Sequence, residues 1–73
     1  MEIFFLLDDI EFRAKVISEG NIYQVFPQDA ALMDKFGELV LIEGNQDFAW
    51  KDYGSEHYKF ALAVALALKA YLF

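Results

Sequence analysis

The stretch His57-Tyr58-Lys59-Phe60-Ala61-Leu62-Ala63-Val64-Ala65-Leu66-Ala67-Leu68-Lys69-Ala70-Tyr71-Leu72-Phe73 decides how the rest of the chain is arranged. Large apolar residues alternate with alanines from Phe60 to Leu68, which on spacing alone is the period of a strand. Composition reverses that reading. Ala, Leu and Lys are strong helix formers, whereas a strand would carry β-branched or aromatic residues in place of the alanines. Wound at about 100° per residue, His57, Phe60, Val64, Leu68, Tyr71 and Leu72 share one face. Leu62, Leu66 and Phe73 fall on the opposite one, beside Lys59 and Lys69. A surface helix needs a single apolar face, the one it turns to its own core. The second face calls for a partner, and Leu62, Leu66, Lys69 and Phe73 are the candidate interface.

A membrane is a poor choice for that partner. Nine uncharged residues separate Lys59 from Lys69, far fewer than the ~20 of a spanning helix. A longer window would bring both lysines inside, at roughly 2.5–3.5 kcal/mol for each one near the bilayer centre. The face reads as a protein interface.

With 73 residues, the chain reads as one small domain, 1–73. A domain of this size buries only about 60% of its unfolded surface and is marginal without reinforcement. There is no cysteine, hence no disulfide and no thiolate metal site. The apolar fraction of 58% supplies ample core material and argues against disorder. Abundant apolar surface without a staple points to burial shared between copies, so a homodimer is the leading expectation, with another protein or a missing part of a longer chain as the alternative cover for this face.

The net charge is −6, and residues 1–56 hold all twelve acids against only four of the six bases. Such a balance repels a phosphate backbone, so nucleic-acid binding is not expected. Met1–Leu7 is apolar but has no basic segment before it and is cut short by Asp8-Asp9, unlike a secretory signal. Together with the absence of cysteine this makes the cytoplasm the default expectation.

Upstream of the helix the pattern is strand-like. Glu2–Leu7 is apolar on both faces, which suggests a strand covered on both sides. Asp8-Asp9 is a turn candidate. Ile10–Ser18 alternates cleanly, with Ile10, Phe12, Ala14 and Val16 inward. Glu19-Gly20-Asn21 turns the chain into a third strand, Ile22–Phe26, which Pro27 ends. Asp29 stands at an N-cap, Leu32, Met33 and Phe36 have helical spacing, and Gly37 is a C′ residue, so a short helix is predicted there. Glu38–Glu43 and Asp47–Lys51 follow as strands around a Gly44-Asn45 turn. Glu43-Gly44-Asn45 repeats Glu19-Gly20-Asn21, which shared hairpin chemistry explains without duplication. Ser55 is the expected N-cap of the last helix. The predicted fold is α+β, in the order βββ-α-ββ-α: an antiparallel sheet of about five strands with the long C-terminal helix packed on one face.

Chemistry has few candidates. Asp52, Glu56 and the single histidine, His57, cluster in sequence beside Trp50, Tyr53 and Tyr58. Carboxylates and an imidazole are suited to metal binding or proton transfer. Glu56 and His57 are adjacent, however, and on a helix point about 100° apart. No second histidine follows four residues later, as a zinc-protease helix requires. Asp8, Asp9 and Glu11 lack the spacing of a calcium loop. With no cysteine, and serines only at a turn and a cap, no catalytic residue, metal or cofactor is assigned. The leading expectation is a non-catalytic interaction or assembly module that self-associates through the terminal helix. The alternative is an acidic inhibitor or antitoxin-like regulator that covers a basic partner.

Overall fold

The computed structural model describes residues 1–73. Five strands and two helices follow in order: β1 (Glu2–Leu7), β2 (Ile10–Glu19), β3 (Ile22–Pro27), α1 (Ala30–Phe36), β4 (Leu39–Glu43), β5 (Phe48–Ala49) and α2 (Ser55–Leu72). The strands form one antiparallel sheet in the order β1-β2-β3-β4-β5, so every strand pairs with its neighbours in sequence. The long C-terminal helix packs on this curled sheet, as the α+β reading requires.

Turn chemistry sets the registers. Asp8 and Asp9 both take positive φ, 52° and 63°, as a two-residue primed turn demands. Asp tolerates this region better than most residues because its side chain bonds locally. Gly20 at φ 62° leads the two-residue Gly20-Asn21 turn between β2 and β3. The link between β4 and β5 is different. It spans Gly44–Asp47, with Gln46 at φ 59° and the Gly44 amide donating to the Asp47 carbonyl. The repeated Glu-Gly-Asn triplet therefore builds two unlike turns.

α1 is built as its sequence signals predict. Asp29 Oδ1 accepts from the Leu32 amide at 3.1 Å, and the Gly37 amide donates to the Met33 carbonyl at 2.8 Å. The start of α2 departs from expectation. Gly54, at φ 110°, is the cap residue, and Ser55 already lies within the helix without a capping bond. Asp52 instead accepts from the Gly54 amide through Oδ1 at 2.9 Å, which stabilises the bend leading into the helix.

The core lies between the inner sheet face and α2. Ile3, Phe5, Ala14, Val16, Val25, Leu39 and Leu41 meet Phe60, Ala61, Val64, Ala65 and Leu68 there. Phe60 is fully buried, stacked on Phe36 at 4.5 Å and edge-on to Phe5 at 5.9 Å. α2 approaches β1 more closely than any other strand. The buried alanines Ala61 and Ala65 permit that approach because they hold no bulk between the backbones.

Several expectations are corrected. β1 is an edge strand covered on one face only, and Phe4 and Leu6 lie in solvent. Ile10 is exposed, since it sits at the open rim where the β1–β2 turn faces α1 and the start of α2 without close packing. β5 has two residues where five were expected, because the four-residue loop consumes Asp47 and the chain leaves the sheet after Ala49. Tyr71 is exposed in the last turn of α2 despite its position on the sheet-facing side. No helix is long and apolar enough to cross a membrane.

Candidate functional site

The sequence cluster Asp52, Glu56 and His57 does not converge on one point. Asp52 is engaged with the Gly54 amide. Glu56 reaches across to α1 and forms an exposed ion pair with Lys35 at 3.0 Å. His57 turns inward among aromatic rings, 4.8 Å from Tyr53, 6.1 Å from Phe60 and 6.2 Å from Phe36, all edge-on. Its Nδ1 is shut off from solvent and has no hydrogen-bond partner. The ring thus serves as a wedge between α1 and α2. No three Asp, Glu or His side chains come together to hold a metal ion.

Two open cavities flank the Lys35–Glu56 pair. One, about 260 Å³, lies where the β1–β2 turn, α1 and the start of α2 meet. Phe12, Leu32 and Phe36 give it apolar lining, and Asp8 and Lys59 add charge to the ion pair. The other, about 400 Å³, adds Glu38, Tyr53 and His57. Neither contains a hydrogen-bonded nucleophile and base, the minimum for covalent catalysis.

Beside the Lys35–Glu56 ion pair, a second contact between polar side chains lies elsewhere, where the Tyr23 hydroxyl donates to Glu43 Oε1 at 2.7 Å. This bond, then burial of the ring and the nearby carboxylate charge, raise the Tyr23 phenol above its ordinary value of 10.0. The phenol therefore stays a donor at neutral pH and ties β3 to the end of β4.

The apolar surfaces are more distinctive than the polar ones. On α2, Leu66 is 59% exposed and Phe73 57%, with Leu62 also in solvent and Lys59 and Lys69 beside them. The four candidate interface residues, Leu62, Leu66, Lys69 and Phe73, are all exposed on the side turned away from the sheet.

A second apolar surface was not singled out from sequence. The outer sheet face exposes Phe4, Leu6, Ile17, Ile22, Val40 and Ile42. Registers place Ile22 opposite Ile42 and Ile17 in the same row as Val40, across Gln24. Its signal was present: β1 and β4 carry apolar residues at both parities, and nothing in the chain is left over to cover the second face. No protein-family model matches the chain, and no curated protein or solved structure matches it either.

Proposed function

We propose that the chain is a non-catalytic assembly module that pairs with a second copy through the outer face of α2. The exposure of Leu62, Leu66 and Phe73 on a helix whose other side already fills the core supports this reading. Full burial of such a side chain contributes roughly 1.5–3 kcal/mol, and covering what is still exposed of Leu66 and Phe73 recovers about half of that each, with less from Leu62. An antiparallel pair of helices centred on Leu66 sets Leu62 against Ala70 of the second copy and Lys59 against Phe73. No two lysines then oppose one another. The face holds no Asp or Glu side chain, while residues 1–56 are strongly acidic.

Sedimentation equilibrium tests the reading. The parent is expected to associate with rising concentration, and Leu66→Lys to associate more weakly than the parent while keeping its circular dichroism spectrum. Salt should strengthen the dimer, because it screens repulsion between two chains of net charge −6. Regulation of a basic partner would show the opposite salt dependence. A parent that remains a monomer at millimolar concentration overturns the proposal.

A further inference from the structure

The two edges of the sheet are unlike. β5 is only two residues long, Phe48 and Ala49, a short edge that resists pairing. β1 has six residues, no proline, no basic residue and one charge, Glu2. Its hydrogen-bonding phase follows from the Val16 amide donating to the Met1 carbonyl at 2.8 Å. In an antiparallel ladder these bonded pairs alternate, so Ile3, Phe5 and Leu7 bond inward to β2. Glu2, Phe4 and Leu6 direct their amides and carbonyls to the open side. No turn, loop or side-chain hydrogen bond engages those three residues.

We infer that β1 is a second association site, where β1 of another copy pairs antiparallel across a two-fold axis at Phe4 and joins the two sheets. The register is self-complementary. Phe4 meets Phe4, and each Glu2 lies opposite Leu6 of the other copy, so like charges do not face one another. Cross-strand neighbours on β2 add Arg13 beside Phe4, Lys15 beside Glu2 and Glu11 beside Leu6. The outer surface at this edge therefore carries two acids and two bases and is neutral, on a chain of net charge −6. A second copy meets no local excess of like charge at this edge, whereas a basic partner finds no excess of carboxylates. This contact uses backbone groups of the sheet and is independent of the α2 face.

Residue-resolved amide exchange on the full chain at micromolar and millimolar concentration provides the test. The Phe4 and Leu6 amides should slow by about tenfold or more at the higher concentration, with Ile3, Phe5 and Leu7 protected at both. Pairing of α2 helices cannot produce this alternation, since their amides are already bonded within the helix. Phe4→Pro removes an amide that β2 does not use, so the fold should survive while the protection at Leu6 is lost. Phe4→Lys keeps the amide but opposes two cations across the axis, and should act alike. Phe4 and Leu6 amides that exchange equally fast at both concentrations overturn the inference, as does undiminished Leu6 protection in both variants.

Discussion

Tyr23 shows how one side chain couples the sheet to solution pH. Its ring is in the core against Phe48, 5.6 Å away and edge-on, while its hydroxyl reaches Glu43. The folded phenol holds its proton more tightly than the unfolded one, whose value is the ordinary 10.0. As pH rises, the unfolded chain loses this proton first and is thereby stabilised relative to the folded one. The Tyr23 contribution is therefore whole below the ordinary phenol range and is lost as pH climbs through the raised value. Urea unfolding between about pH 9 and 11 should show stability falling with a steeper slope in the parent than in Tyr23→Phe. Equal slopes would mean that Tyr23 titrates alike in both states.

At the scale of elements, α2 and β1 depend on small residues. Ala61 is fully buried on α2, the helix that lies against β1. Ala61→Leu would favour an isolated helix about as well as alanine does, yet it should destabilise the protein by about 1–3 kcal/mol through overpacking. A urea midpoint equal to the parent's would show that the gap can widen without loss. The elements most legible in sequence were those with local signals: the alternation of β2, the Asp29 and Gly37 ends of α1, and the alanine-rich α2. What stayed hidden depends on long-range pairing. That β1 lies at an edge follows from its partners and not from its own residues. Ser55 has the chemistry of a cap, but the bend at Gly54 places it one position too late. Asp52, Glu56 and His57 are neighbours in sequence that helix geometry sends to a backbone amide, a lysine and an aromatic cage. The orphan face of α2 was legible because a helix of known period has only one side for its sheet.

For the whole molecule, a radius of gyration of 11.1 Å is that of a compact chain of this length, with no arm reaching out toward a partner. Association through surfaces already formed is what the two proposals, at the α2 face and at the β1 edge, describe. Binding between folded chains stabilises them by mass action. The thermal midpoint of the parent should accordingly rise with protein concentration, and that of Leu66→Lys/Phe4→Pro should not. A parent midpoint independent of concentration in calorimetry would count against both surfaces together.

The sequential strand order has a kinetic consequence. Four strand pairings join neighbours along the chain, and three of the links are hairpins closed by only two to four residues. Such low contact order allows these parts to form quickly. The seam between Phe5 and Phe60 joins opposite ends of the sequence, and closing so long a loop orders the chain before its contacts are gained. Folding should thus be limited by the return of the last helix to the first strand. A chain that has yet to take that step would leave the inner sheet face uncovered alongside the β1 edge, so refolding at high concentration should lose more chain to aggregation when the α2–β1 seam is weakened.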